Sequence, residues 1–430
     1  MVQLRDDCFV NDGALMPADT ALEILLDRLH PVVGTEAVAL RTAAGRIAAA
    51  DVIAERNVPP HDNSAVDGYA VYFDDLSATA DTRLPVAGRA AAGHPLTGAQ
   101  ERGVAVRIFT GSPMPAGPSG DNAGGPDTVL MQEDCTVENT VGGDQVIIPL
   151  GIKKGANRRF RGEDVRAGAT ILTVGQRLRP QEIGLAASIG LTSLTVYRPL
   201  RVAIMSTGDE VSEPGSDLPN GNIYDANRYS LFALLDGLGC DVTDLGILPD
   251  DRETLGEVLG KAAENHDALI SSAGMSVGDE DHLSATVSAL GQLHFWKLAI
   301  KPGRPVALGQ IGGAAFIGLP GNPAAMMVTF LALARPALLR LSGAADLHPR
   351  LYKVRAGFDH VKKLSRREYV RVRLSADENG DLVAHKFPRE GAGILTSLVE
   401  ADGLVELSED TTHLTEGTMV DFLPFTEVSR

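Results

Sequence analysis

Cysteine is scarce in this sequence. The chain has three, Cys8, Cys135 and Cys240, far apart and none in a C-x-x-C pair. Neither a disulfide framework nor a cysteine-based zinc site is indicated, and a reducing, cytoplasmic setting is expected. Basic charge is also short. Lys and Arg number 39 against 56 Asp and Glu, a net charge of −17. That argues against non-specific nucleic-acid binding, which rests on basic patches. Long apolar runs are lacking as well. The longest lies near Ala324–Leu339 and is interrupted by Arg335 and Pro336. It is expected to be too short and too broken to span a bilayer. The opening residues, MVQLRDDCFVNDG, lack a basic stretch followed by an apolar core, so no signal peptide is expected.

What is present describes a folded protein. Of the 430 residues, 44% are hydrophobic and 22% charged. At roughly 100–200 residues per domain, the length suggests two to four domains. The acidic balance carries a further implication. An acidic chain that binds an anion must concentrate cations locally, as Lys, Arg or a metal ion.

Residues 17–54 read as helical, with Ala21, Leu22, Leu25, Leu26 and Leu29 at helical spacing and Pro31 as a stop. From Tyr69 to about Leu150, short β-prone runs alternate with Gly and Pro, and residues 113–127 read as a surface loop. A helix is expected to start at Pro180. Residues 200–341 alternate strands with helices, the pattern of a mostly parallel sheet. Period-two runs on either side of Asn379-Gly380 predict a hairpin in a C-terminal β domain. The fold class is therefore multidomain α/β plus β. A central α/β domain (199–345) is joined by an inserted β-rich domain (55–159) and a C-terminal β domain (346–430). Residues 1–54 and 160–198 would form one linking domain into which the β segment is inserted.

Six stretches could carry chemistry. In SSAGMSVGDEDH (271–282) a strand ends in small residues before a helix. Ser271, Ser272 and Ser276 can donate to phosphate oxygens, and Gly274 and Gly278 allow close backbone approach. Asp279, Glu280 and Asp281 sit oddly beside a phosphate unless a cation bridges them. STGDEV (206–211) follows another apolar run and puts Asp209 and Glu210 on the same sheet edge. FWKLAIKPGRP (295–305) spaces Lys297 and Lys301 so that an extended Leu298–Ile300 would project both to one side. GLPGNP (318–323) joins a strand to the long helix, with Asn322 placed to cap it and Pro323 in its first turn. PPHDNSAVDGYAV (59–71) carries Asp62, Ser64 and Asp67 in a tight turn. NRRFRGEDV (157–165) clusters Arg158, Arg159 and Arg161 with Glu163 and Asp164.

With RIFTGSPMP (107–115) and IYDANR (223–228), these motifs together resemble the molybdopterin molybdenumtransferase family, that of MoeA and the gephyrin E domain. The resemblance runs through nearly the whole chain. It implies a C-terminal domain that is β-barrel-like, a linking domain that is elongated and takes part in dimerisation, and an elongated homodimer whose active cleft is shared between subunits. It implies insertion of molybdenum from molybdate into adenylylated molybdopterin, with release of AMP and dependence on Mg²⁺. On the inserted side it points to Asp67, Thr110 and Asp164 as catalytic, with Arg159 binding ligand. On the α/β side it points to Glu210, Asp250, Asp281, Lys297 and Lys301 as catalytic, with Pro320 and Pro323 binding ligand beside the serine loop. Glu210, Asp250 and Asp281 would hold the metal or position water for hydrolysis of the adenylate. Contact with the molybdopterin adenylyltransferase is implied as a partnership; no nucleic acid or membrane is. The chain departs from the family pattern at Gly391-Ala392-Gly393, where Gly-Ser-Gly is frequent, and at Ala273, where a second glycine is common. An adenylyltransferase, a scaffold that has lost activity and a tungstate-handling enzyme are the competing readings.

Overall fold

The computed structural model describes residues 4, 15–119, 124–273 and 282–428. The chain forms two compact units. One comprises Met1–Ala50, Val174–Arg179 and Ser193–Arg430; the other comprises Asp51–Thr173 and Pro180–Thr192.

The smaller unit is built on a six-stranded sheet. Its order is Thr128–Met131, Gly68–Val71, Ala105–Ile108, Thr82–Ala90, Gly143–Ile148, Thr136–Thr140. Successive side chains of a strand alternate between faces, and here both faces are covered. Tyr69 and Val71 pack with Leu84, Leu130 and Val146, whereas Ala70 packs with Ala90, Val106, Ile108 and Val129. Gly68 is required by space rather than by backbone angle: a Cβ there would lie 1.6 Å from the Leu130 carbonyl oxygen. The expected helix starts at Pro180 and runs to Ser188.

The larger unit contains the α/β sheet. In chain order its elements are β1 (Leu15–Met16), α1 (Ala18–Arg28), β2 (Arg201–Thr207), α2 (Asn227–Leu238), β3 (Asp241–Leu248), α3 (Arg252–Asn265) and β4 (Ala268–Ser272). There follow α4 (His282–Leu290), β5 (Gly291–Leu298), β6 (Ile300–Lys301), β7 (Pro305–Ile311), β8 (Ala314–Leu319) and α5 (Pro323–Leu341). The sheet order is β1-β5-β7-β8-β4-β2-β3. Four of the six pairings are parallel, and only those of β7 are antiparallel. Val202 and Ile204 of β2 pack under α1, α2 and α5, while Ala203 and Met205 pack against α3 and α4. Burial on both faces explains why these strands read as unbroken apolar runs.

The barrel comprises β9 (Tyr352–Ala356), β10 (Arg367–Ala376), β11 (Leu382–Lys386), β12 (Gly403–Leu407) and β13 (Met419–Pro424). The pairings β10-β11-β9-β13-β12 close back onto β10, around Val354, Val372, Ala384, Val405 and Phe422. The Asn379-Gly380 turn joins β10 to β11, with Gly380 at φ +87°.

Two expectations fail here. The N-terminal helix is only α1; residues 35–39 form a strand paired with Ser193–Tyr197. Its alternating burial shows why: period two replaces period 3.6 after Pro31. Nor is the apolar run near Ala324–Leu339 too short and too broken for membrane length: it lies in one long helix that continues through Arg335 and Pro336. Pro336 lacks an N–H and would crowd the carbonyl four residues back, and the turn before it widens into a π segment, Phe330–Ala334. The 19-residue helix is long and apolar enough to cross a membrane, yet 83% of its apolar window is buried inside the protein. It is a core helix.

Candidate active site

In the smaller unit, Asp67 sits just before the strand Gly68–Val71, and Thr110 just after Ala105–Ile108. These strands are paired, so the two residues meet. The Thr110 amide and hydroxyl both donate to Asp67 Oδ1, at 2.8 and 2.7 Å. These two bonds hold the Asp67 carboxyl below its ordinary value, with a smaller contribution from Arg107. Arg107 donates to the Gly68 carbonyl at 2.9 Å and lies over the Tyr69 and Phe109 rings. The arginine cluster is divided. Arg158 pairs with Asp62 at 2.8 Å, while Arg159 and Asp164 are exposed.

In the larger unit, the parallel strands end in register. Thr207 aligns with Leu248, Ser206 with Ser272, and Ser272 with Leu319. The loops that follow therefore leave one edge of the sheet, the usual ligand edge of such folds. They carry Glu210, Asp250, Ala273 and Pro320. Lys297, opposite Pro305 near the end of β5, lies at the same edge. It is exposed and has no ion-pair partner among the described residues. Ser271 and Ser272 are fully buried, and their hydroxyls turn inward: Ser271 Oγ donates to the Ala273 carbonyl, and Ser272 Oγ accepts from Asn227 Nδ2 at 2.9 Å. Asn227 Nδ2 also donates to the Gly321 carbonyl at 2.7 Å, so one side chain ties two edge loops together. Ala273 adopts φ +72°, the left-handed region that a second glycine would enter freely. Gly274, Ser276, Gly278 and Asp281 lie outside the described residues.

Lys297 and Lys301 do not share one extended run. Lys297 belongs to the α/β sheet, whereas Lys301 lies on β6, which pairs with β10 of the barrel. Asn322 does not cap α5 with its side chain. Instead the Ala324 amide donates to the Ala392 carbonyl at 2.9 Å. The Gly391-Ala392-Gly393 turn thus reaches the proline loop by its backbone, which the missing hydroxyl does not affect. Pro320 and Ala392 line one cavity of about 440 Å³ with Ala273 and Asn322. Among the described residues no three His, Cys, Asp or Glu side chains cluster tightly enough to hold a metal ion. A prebuilt cage is therefore absent among them. Magnesium needs none, since one or two carboxylates and substrate phosphates suffice, and Glu210 and Asp250 follow adjacent strands at the ligand edge.

Three family models match the chain in succession. They are the MoeA N-terminal region (domain I and II) over residues 16–190, a probable molybdopterin binding domain over 203–340, and the MoeA C-terminal region (domain IV) over 353–425. A molybdopterin molybdenumtransferase from Haemophilus influenzae is 36% identical, covering 96% of this chain and 99% of its own. The chain belongs to the MoeA family. Another relative of that name, from Nostoc, is 34% identical over 91% of this chain and 89% of its own. A MoeA crystal structure from Pyrococcus horikoshii matches with a TM-score of 0.80 at 28% identity, over 96% of this chain and all of that one. A second from that organism matches at 0.73 and 31% identity, covering 96% and 99%. Within this MoeA chain, Arg107 and Asn227, one in each unit, lie among the candidate residues of their own unit, although neither was singled out by type or spacing. Both stand inside recognisable motifs, RIFTG and IYDANR; what they touch is visible only in three dimensions.

Proposed function

We propose that this chain is a molybdopterin molybdenumtransferase, which moves molybdenum from molybdate onto the dithiolene of adenylylated molybdopterin and releases AMP. The observation that carries this reading is Lys297: an exposed cation without an ion-pair partner among the described residues, at the ligand edge of an acidic protein. Its charge, with that of Lys301, would neutralise molybdate or the substrate diphosphate. Asp67, kept ionised by Thr110, would orient and deprotonate the water that cleaves the adenylate. Arg159 and Asp164 would meet the ligand from the same unit. Glu210 and Asp250, with Asp281, would hold Mg²⁺. When bound, the ion offsets the negative charge that builds on the adenylate phosphate.

The reading includes a four-domain homodimer in which the inserted domain of one subunit faces the α/β domain of the other. It places the enzyme in the cytoplasm, next to the adenylyltransferase whose product it consumes. The adenylyltransferase reading itself is disfavoured, because the MoeA matches extend on both sides of the α/β domain. The test is direct. Supplied with adenylylated molybdopterin, molybdate and Mg²⁺, the protein should release AMP and yield cofactor that reconstitutes an apo-molybdoenzyme. Well-folded protein that releases no AMP would sink the proposal.

A further inference from the structure

Lys301 and Glu368 stand opposite one another on β6 and β10. Lys301 Nζ donates to Glu368 Oε2 at 3.3 Å. That oxygen also lies 2.9 Å from His360 Nε2, and both Glu368 and His360 are buried. On its other side, His360 Nδ1 is 3.1 Å from Lys386 Nζ. Lys386 is bonded in turn to Glu390, whose carboxylate lies 3.8 Å from Lys301 Nζ. The contacts form a closed ring.

The chemistry of the ring fixes its protons. An ammonium only donates, so His360 Nδ1 accepts from Lys386 and the imidazole proton sits on Nε2, donating to Glu368. The imidazole thus acts as a rigid spacer between a carboxylate and a second lysine. Glu390 is held ionised chiefly by the Lys386 bond. The ring lines a cavity of about 190 Å³ that extends to Ala392, the residue joined to the first turn of α5. Lys301 alone cannot keep a fixed place: its side chain is 46% exposed, on a stem with many rotamers. A buried carboxylate whose own position is locked can hold it.

We propose that Glu368 and His360 are positioning residues that hold the Lys301 ammonium at the mouth of this cavity. The inference deepens the reading of Lys301 as an oxyanion-neutralising side chain and rests on it. It gives the barrel a part in the reaction, through residues outside the glycine turn.

Two readouts on the full-length protein separate this role from a structural one. The first needs no activity: competitive labelling of lysines with an amine-reactive probe, read by mass spectrometry. Glu368→Gln should raise Lys301 labelling roughly tenfold, the weight of one charge-assisted hydrogen bond. Labelling of Lys353, paired with Asp421 on the barrel surface, should not change. The second is the KM for molybdate. Removing a negative charge would by itself favour an oxyanion, so a purely electrostatic role for Glu368 predicts a lower KM. Positioning predicts a KM raised about tenfold, with kcat changed less. His360→Gln keeps a donor for Glu368 and should stay near wild type in both readouts, whereas His360→Leu should behave like Glu368→Gln. Unchanged Lys301 labelling in Glu368→Gln, a KM that is unchanged or falls, or His360→Gln as impaired as His360→Leu would each overturn the proposal. Full activity in Lys301→Ala would instead remove Lys301 from the reaction, with the labelling still deciding whether the ring holds it.

Discussion

At the scale of single residues, the clearest chemical feature is a carboxylate that takes two hydrogen bonds from one threonine. Both bonds favour the charged form, so Asp67 stays ionised at pH values where an ordinary carboxylate has begun to take up a proton. Thr110→Val keeps the amide bond and deletes the hydroxyl bond. The Asp67 pKa should then rise toward its ordinary value, and the acidic limb of the kcat/KM profile should move to higher pH. A limb that stays where it was would show that Asp67 is not the group titrating there. Asp67 stood out in the sequence as a polar turn residue ahead of an apolar strand, and Lys297 by its spacing from Lys301, whereas Thr110 came only from the family resemblance. Arg107 and Asn227 did not stand out. An arginine laid over two aromatic rings, or an asparagine bridging two loops 45 and 94 residues away, leaves no periodic trace.

At the scale of elements, hydrophobic period decided what could be read. The α/β strands and helices lie where their alternation put them, because burial on both sheet faces leaves strong apolar blocks. The stretch after Pro31 misled, since a half-exposed strand such as Thr35–Ala39 offers few apolar residues to set its period. α5 was legible as one long helix, but its widened turn was not: a turn that absorbs a proline is a backbone event, with no composition of its own. Close approach is equally silent. Gly68 reads as a turn glycine, yet it lies within a strand bonded on both sides, to Ala105–Ile108 and Thr128–Met131. A methyl group there must displace the Leu130 carbonyl or push the strands apart. Gly68→Ala should therefore destabilise the smaller unit by about 3 kcal/mol, the upper range for overpacking. It should also disturb the adjoining Asp67–Thr110 pair. Chemical denaturation measures the first effect; an unchanged midpoint would mean that the sheet yields without cost.

At the scale of the whole molecule, the candidate residues divide between two units. Asp67, Thr110, Arg159 and Asp164 belong to one; Glu210, Asp250, Lys297 and Lys301 belong to the other. In the proposed reading, these two sets meet only around the ligand. In the proposed homodimer the meeting is between subunits, and that has a consequence a single-subunit site lacks. Asp67→Asn and Lys297→Ala should each abolish activity alone. In a mixed dimer, the subunit with Lys297→Ala still offers an intact Asp67, and the subunit with Asp67→Asn still offers an intact Lys297. One of its two sites is then whole, and the other carries both lesions. With random pairing half the dimers are mixed, so dissociating and reassociating equal amounts should restore about a quarter of wild-type AMP release, as two-fold symmetry requires. If each site were built within one subunit, every site in the mixture would carry a lesion and no activity would return.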